Sequence, residues 1–359
     1  MDLTVSTAVL AASTAEAVRL LPAPALGGVL LTAGADGLGL AAVAPDHALR
    51  LDRPALVHTG GEALVPLRPL AETVRALDAE EVRVSVEESR LVVRAPGGRF
   101  ALPLLDRGLH PGVAAPPPAA GSVAGRTLRG ALEAVASAAS REDALPIFTG
   151  VRMWTEGDVL TLLATDRYRM ALATLDWTGG RLDALAPAAA LSALARGLGA
   201  APSVGLGADS DRLGLTWGPD SFATALLAVP FPDERARELV RAQPSGAVEL
   251  DAEALVAALR RASPYAGPRG TVTLAGWDGE LRVISSDPHS GESEQVVKAS
   301  VSGGRLSATY QARYLLDALR PFAGRTVRIE HQDGLRPTVF TAPPDGGAAV
   351  TCVVVPMRV

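Results

Sequence analysis

The sequence of 359 residues contains a single cysteine, Cys352, and a single lysine, Lys298. One thiol excludes an internal disulfide framework and every zinc site that needs two or more thiolates. A phosphate-binding Walker loop ends in Gly-Lys, but Lys298 follows a valine, so the sequence lacks that nucleotide-binding motif as well. Arginine therefore supplies nearly all of the positive charge, and arginine suits bidentate contacts with phosphate.

Long hydrophobic runs are also missing. The longest apolar stretch, residues 26–43, is interrupted by Asp36 and by several glycines, which argues against a membrane-spanning segment. Residues 1–5 lack the basic and apolar regions of a signal peptide. We therefore expect a cytoplasmic protein that has no membrane partner.

The composition indicates a folded chain, because 48% of the residues are hydrophobic and only 20% are charged. The length exceeds that of one ordinary hydrophobic core, which favours two or three domains. The formal net charge of -5 excludes a surface that is basic throughout. Any contact with nucleic acid must therefore depend on local segregation of charge.

Catalytic motifs are scarce. Two Gly-x-Gly segments, at residues 197–199 and 205–207, lack the third glycine of a dinucleotide-binding fingerprint and predict turns instead. The five histidines form no pair spaced by one helical turn, and the sequence contains no Gly-x-Ser-x-Gly nucleophile elbow. The sequence therefore predicts no catalytic residue and no cofactor.

The nearest approach to a metal or acid–base cluster is the segment Asp287–Glu292, which contains two carboxylates and one imidazole. A proline and a glycine within it predict a solvated turn between strands. The pair Asp209 and Asp211 receives the same interpretation. We therefore predict no metal site.

A threefold internal repeat is the most informative feature. Three segments share one helical pattern of leucine and alanine, at residues 7–12, 129–134 and 253–258. Their aligned leucines, Leu10, Leu132 and Leu255, are 122 and 123 residues apart. Each segment follows an extended stretch, so each repeat is predicted to open with a strand and then a helix.

A second helix recurs midway through each repeat, at residues 69–74, 190–194 and 314–319. Leu70, Leu191 and Leu315 in these helices are 121 and 124 residues apart, which matches the first spacing. Runs of period two follow, as at residues 82–86 and 326–330. We predict an α+β fold of three repeated domains, each with two helices packed on an antiparallel sheet, at residues 1–120, 121–243 and 244–359.

Three local motifs sharpen this prediction. They are Leu163–Ala171 with the Gly-Asp turn that precedes it, Phe231-Pro232-Asp233, and the carboxyl-terminal Val353–Val359. In this order they resemble motifs of the bacterial beta sliding clamp, the beta subunit of the replicative DNA polymerase. The resemblance covers essentially the whole chain.

The resemblance implies a head-to-tail homodimeric ring, whose helices line a hole around double-stranded DNA. Such a ring holds DNA by topology and contacts its phosphates without regard to sequence. The DNA-facing residues would be Arg19, Arg75, Arg129, Arg141, Arg196, Arg260, Arg261 and Arg320. The dimer interface would contain Phe100, Leu102, Pro264 and Tyr265. Because proline cannot donate a helical hydrogen bond, Pro264 should end its helix early.

The resemblance also implies a pocket that binds short linear peptides of the replicative polymerase, the clamp loader and repair factors. Carried over by position, its lining would be Phe148, Thr165, Arg167, Tyr168, Arg169, Met170, Pro232, Gln311, Tyr314, Val353, Val354, Pro356, Met357 and Arg358. Methionine and valine would accept apolar anchors, and arginine and tyrosine would orient the peptide backbone.

Several positions depart from the family pattern. The segment Pro22–Leu26 lacks an arginine that the family turns toward DNA, and Pro187–Ala189 lacks two basic residues. The segment Arg141–Pro146, which corresponds to a DNA-touching loop, is partly acidic. These departures predict weaker DNA binding than is usual in the family.

Three functions remain open at this point. The first is a processivity factor with no active site. The second is a clamp-like scaffold or decoy that holds DNA poorly but binds clamp partners, for example in antibiotic self-resistance. The third is an enzyme that uses the Asp287–Glu292 segment, which has little support.

Overall fold

The structure is a computed structural model, and it describes residues 1–21, 28–142, 144–241 and 243–358. The Pro22–Leu26 segment and Asp143 of the Arg141–Pro146 loop lie outside the described residues. The chain divides into two compact units. Unit 1 comprises Met1–Gly125 and Arg196–Leu226, and unit 2 comprises Arg126–Ala195 and Leu227–Val359.

Seven α-helices occur in the described part of the chain. They are α1 (Thr7–Leu20), α2 (Leu67–Arg75), α3 (Gly125–Ala136), α4 (Ala188–Leu198), α5 (Asp233–Arg241), α6 (Ala252–Ala262) and α7 (Ala312–Leu319). Six of them confirm the two helices predicted for each repeat. Helix α5 was not predicted, because its residues were assigned to a loop and a linker. Acids in its first turn, Asp233 and Glu234, were the available sequence signal, since they favour a helix amino terminus.

The strands follow the period-two runs of the sequence. They are β1 (Asp2–Ser6), β2 (Val29–Gly34), β3 (Gly37–Val43), β4 (His47–Arg53), β5 (Leu56–Thr59), β6 (Gly61–Val65), β7 (Glu81–Glu87), β8 (Arg90–Ala95), β9 (Gly98–Pro103), β10 (Gly121–Val123), β11 (Gly150–Glu156), β12 (Val159–Thr165), β13 (Arg169–Asp176), β14 (Thr178–Gly179), β15 (Asp183–Pro187), β16 (Val204–Ala208), β17 (Arg212–Trp217), β18 (Asp220–Ala225), β19 (Gly246–Asp251), β20 (Thr271–Trp277), β21 (Glu280–Asp287), β22 (Gly291–Lys298), β23 (Ser300–Gly303), β24 (Leu306–Gln311), β25 (Thr326–His331), β26 (Thr338–Thr341) and β27 (Ala349–Val354).

Unit 1 contains a five-stranded sheet in the order β5-β1-β7-β8-β9 and a run of eight strands in the order β10-β16-β17-β18-β4-β3-β2-β6. Strand β1 shows the underlying pattern, because Leu3 and Val5 are buried while Asp2 and Thr4 are not. Helices α1 and α2 pack together, and α1 also contacts β4. Leu10 and Ala17 of α1 are buried at this contact face.

Unit 2 contains a nine-stranded sheet in the order β15-β11-β12-β13-β27-β26-β25-β19-β23 and a four-stranded sheet in the order β22-β21-β20-β24. Every pairing between neighbouring strands of these two sheets for which a register is given is antiparallel. Helix α6 packs on α7, β21 and β22. The Ser285 hydroxyl donates to the Ala262 carbonyl oxygen at 2.8 Å and satisfies a group at the end of α6.

The predicted turns and helix end are confirmed. Helix α6 ends at Ala262, and Pro264 lies in the 3-10 turn that follows. Asp287 closes the hairpin between β21 and β22 by accepting hydrogen bonds from the amides of His289 and Ser290 at 3.0 and 2.9 Å. These bonds lower the pKa of the Asp287 carboxyl. The segment therefore serves as a turn, as its proline and glycine predicted.

Cys352 offers a test of this fold. It lies on β27 between Ala171 of β13 and Phe340 of β26, and burial raises the pKa of its thiol to about 12. Because the thiolate is the reactive form, we expect labelling of the native protein at pH 8 to be roughly 1,000-fold slower than that of the unfolded chain. The release of thionitrobenzoate with and without guanidinium measures both rates. Rapid labelling without denaturant would contradict the placement of β27 inside the sheet.

Candidate functional site

A tight turn of unit 2 joins β12 to β13 at Thr165–Arg169. The Thr165 hydroxyl donates to the Arg169 carbonyl oxygen at 2.7 Å and accepts from the Arg167 amide at 3.1 Å. The Asp166 carboxylate accepts from the amides of Tyr168 and Arg169, both at 3.0 Å. Two side chains thus satisfy the backbone of the turn and fix its conformation.

Arg167 occupies an unusual backbone conformation within this turn. Its φ is +79°, in the left-handed region that favours glycine. Its guanidinium lies over the rings of Phe148 and Tyr168, at 5.7 Å from each ring centroid. The conformation thus presents an exposed arginine beside two aromatic rings.

Arg169 is held by two carboxylates. Its Nε donates to Asp166 at 3.0 Å, its Nη1 donates to Asp317 of α7, and its guanidinium lies 4.7 Å from the Tyr314 ring centroid. Its side chain is only 13% exposed. The prediction that Arg169 orients a peptide backbone therefore needs correction, because its charge is already neutralised by two aspartates. It positions the turn and α7 relative to each other.

The carboxyl-terminal strand completes the site. In β27, Val354 pairs with Arg169 and Val353 with Met170. Beyond the strand, the Val355 amide donates to the Tyr168 carbonyl oxygen at 2.9 Å, and the Met357 amide donates to the Thr309 carbonyl oxygen at 2.7 Å. The chain end is therefore anchored on the turn and on β24.

A buried apolar cluster lies beneath these elements. It consists of Trp154, Leu163, Met170, Ala236, Val339 and Val353, with Leu172 and Phe231 partly buried against it. Met170 is 3% exposed, and Val353 and Val354 are also buried. The prediction that these three side chains form an open pocket surface is therefore wrong for this conformation. They belong to the hydrophobic core, and Met357 remains partly exposed.

Helix α5 explains part of this burial, because it contributes Ala236 to the cluster. Arg152 donates to Asp233 at 3.2 Å, and Arg237 pairs with Glu156 at 2.7 Å while its guanidinium lies 4.8 Å from the Trp154 ring centroid. These contacts fasten α5 to β11. The sequence analysis missed them because it placed no helix after Pro232.

The remaining predicted pocket residues fall around the same turn. Phe148 lies in a 3-10 turn and contacts Arg167, as described above. Tyr314, on the first turn of α7, stacks on Tyr168 with centroids 6.4 Å apart and an interplanar angle of 14°. Gln311 precedes α7 and is half-buried, whereas Arg358 is exposed, as is Pro232 beside α5. Pro356 is buried behind the chain end.

The predicted DNA-facing arginines lie on or beside helices. Seven are exposed, namely Arg75, Arg129, Arg141, Arg196, Arg260, Arg261 and Arg320, while Arg19 is half-buried. Arg19 pairs with Glu16 at 3.6 Å, and Arg129 pairs with Glu133 at 2.9 Å. Part of the predicted positive charge is thus balanced locally.

Two cavities of unit 2 bring several of these cations together. A cavity of about 550 Å³ is lined by Arg126 and Thr127 of α3, by Arg320, and by Arg325. A second cavity, of about 590 Å³, lies between α6 and α7 and is lined by Arg260 and Arg320. Arg320 is common to both. The sequence analysis missed Arg126, although it stands one turn before Arg129 on the same helix.

Each unit also ends in an unpaired sheet edge. Strand β9 is terminal in the five-stranded sheet and exposes Phe100, which is 39% accessible, whereas Leu102 is 6% accessible. Leu102 is therefore a core residue of its own unit, which corrects its predicted place in an interface. Strand β22 is terminal in the four-stranded sheet and exposes Val296, at 56%, which the sequence analysis missed. Tyr265 is 37% exposed, and its 3-10 turn packs on β22.

Two further searches covered the described residues. No helix there is long and apolar enough to cross a membrane. No group of three or more His, Cys, Asp or Glu side chains in these parts of the chain is arranged to hold a metal ion.

Comparisons with known proteins agree along the chain. Residues 1–113, 122–233 and 238–358 match the N-terminal, central and C-terminal domains of the DNA polymerase III beta subunit. The beta sliding clamp of Streptomyces coelicolor is 29% identical over 100% of this chain and 99% of its own length. The beta sliding clamp homolog GriR of Streptomyces muensis is 30% identical over 82% of this chain and 80% of its own length.

The structure is likewise similar to a solved sliding clamp. The DNA polymerase sliding clamp of Bacillus subtilis superposes with a TM-score of 0.89 over 100% of this chain and 99% of that chain, at 20% identity. At that identity the likeness concerns the fold, and it confirms three clamp domains of helices and antiparallel sheets. With the sequence matches, it establishes that this chain belongs to the beta sliding clamp family of DNA polymerase III beta subunits.

Proposed function

We propose that this protein is a cytoplasmic processivity factor without chemistry of its own. Two copies close head to tail around duplex DNA, and each copy tethers the replicative polymerase, the clamp loader and repair factors through short peptides. The observation that carries the tethering role is the convergence of Phe148, Thr165, Arg167, Tyr168 and Tyr314 around one fixed turn beside the anchored chain end.

The open sheet edges support ring closure. Strand β9 carries Arg99 and Phe100 on its exposed positions, and β22 carries Glu292, Glu294 and Val296. Opposite charges and facing apolar side chains stabilise strands that pair across an interface. An unpaired edge is also a template for pairing, and a head-to-tail ring covers both edges.

Phe100→Glu tests the ring. A buried carboxylate at the seam should convert the mass of two chains into the mass of one at micromolar concentration, since unpaired buried charge is strongly unfavourable. Light scattering after size-exclusion chromatography measures this mass. The matched control is Leu56→Glu, because Leu56 is 65% exposed on β5, at the opposite end of the same sheet. A wild-type protein that is already monomeric would contradict the ring.

DNA binding should be weak and independent of sequence, because the candidate cations reach phosphates and several are already ion-paired. We expect greater retention on closed circular DNA than on the same DNA after linearisation. The double variant Arg126→Ala with Arg320→Ala should lower retention and reduce the logarithmic salt slope by roughly 2. Gel filtration of complexes at several salt concentrations measures both quantities. Equal, salt-resistant retention on short linear duplexes would contradict encirclement.

The alternative of a clamp-like scaffold has one specific support, the similarity to the homolog GriR together with the partly neutralised arginines. A scaffold would bind clamp peptides and show no preference for circular DNA. The circular-DNA measurement therefore separates the two functions.

The peptide site can be tested by Met357→Ala. A peptide with a glutamine and leucine or phenylalanine anchors should bind with micromolar affinity, because burial of each anchor contributes about 1.5 to 3 kcal/mol before ordering costs. Loss of the Met357 side chain should weaken binding roughly tenfold by fluorescence anisotropy. Deletion of residues 355–359 should abolish it.

The matched control for Met357→Ala is Val159→Ala. Val159 is a 41% exposed apolar residue at the end of β12 opposite Thr165. Unchanged peptide affinity in the Met357 variant and in the deletion would show that the chain end is not part of the site.

A further inference from the structure

We infer that Arg167, Tyr168, Tyr314 and Arg313, here named the shelf, bind an acidic side chain of the partner peptide next to its apolar anchors. This inference rests on the proposed peptide-binding function and adds a charge requirement to it. The shelf belongs entirely to unit 2.

The shelf is a row of alternating cationic and aromatic groups. Tyr168 and Tyr314 stack at its centre, as described above. Arg167 covers the Tyr168 ring on one side. Arg313 lies 4.8 Å from the Tyr314 ring centroid and donates to the Tyr314 hydroxyl at 3.1 Å. The rings restrict both guanidinium groups, so less side-chain entropy is lost when a carboxylate binds.

The charge balance of this region leaves the two shelf arginines available. The neighbouring carboxylates, Asp166 and Asp317, both bind Arg169. Within the described parts of the chain, Arg167 and Arg313 make contacts with rings and hydroxyl or backbone groups but no ion pair within 4.0 Å. Both are exposed. The shelf therefore has a local excess of positive charge in a protein whose net charge is -5.

The backbone at Arg167 supports a binding role. A glycine would adopt a φ of +79° without steric strain, whereas a side chain there is disfavoured. Two hydrogen-bonded side chains, of Thr165 and Asp166, hold the turn in this conformation. Strain that is maintained by its surroundings is typical of binding sites.

The position of the shelf favours a peptide. The Val355 amide binds the Tyr168 carbonyl oxygen, so the shelf adjoins the chain end that carries Met357. A peptide whose anchors contact Met357 thus reaches the shelf within a few residues. Stacked tyrosines flanked by arginines can also bind single-stranded nucleic acid, which is made an outcome of the test.

The experiment compares two fluorescein-labelled peptides that share the glutamine and apolar anchors and differ by Asp or Asn beside the anchors. We expect the Asp peptide to bind the wild-type protein about threefold to tenfold more tightly at low salt, and the ratio to fall as salt rises. The double variant Arg167→Glu with Arg313→Glu should remove the preference and favour a Lys peptide. The matched control, Arg181→Glu, should retain the preference, since Arg181 is 84% exposed near the opposite end of the same sheet.

A second variant separates binding from folding. Arg167→Gly relieves the backbone strain, so it should unfold no more readily than the wild type and still lose most of the preference for Asp. Equal affinity of the Asp and Asn peptides for the wild type would overturn the shelf inference and leave the tethering function standing. Failure of both peptides to bind would overturn both. Competition by oligothymidylate that disappears in the double variant, without any Asp preference, would identify the shelf as a nucleic-acid surface.

Discussion

The candidate site depends on one interaction, the double ion pair of Arg169 with Asp166 and Asp317. It joins the turn after β12 to helix α7, and a side chain that is 13% exposed receives little screening from water. Loss of either carboxylate would leave a partly buried cation with an unsatisfied group. The stacking of Tyr168 on Tyr314 depends on this link, because the two rings belong to the two elements that Arg169 connects.

The register of β13 with β27 is the second constraint. It places Val353 and Val354 beside residues that lie far earlier in the chain, and it sets the exit of residues 355–358 over the turn. Antiparallel pairing reverses faces if it slips by one residue, so the alternation of buried side chains fixes this register. The chain end is thus part of the fold as well as part of the site.

Helix α5 determines how much apolar surface the site exposes. By fastening to β11 through Arg152 and Arg237, it covers the cluster that contains Met170 and Trp154. The accessible apolar area is consequently limited to partly buried side chains such as Leu172, Phe231 and Met357. Charged and aromatic groups at the rim then contribute a larger share of recognition, which is consistent with a shelf that selects an acidic residue.

The sequence by itself determined the threefold repeat and six of the seven described helices, because a period of 3.6 and its recurrence every 121 to 124 residues are properties of the chain alone. Local chemistry also determined the Asp287 turn and the early end of α6 before Pro264. Only the tertiary structure decided that Leu102 and Met170 are core residues, that Val296 marks an open edge, and that the charge of Arg169 is already neutralised. Periodicity shows which face of a strand or helix is apolar, but it does not show which distant element covers that face or which carboxylate meets a given arginine.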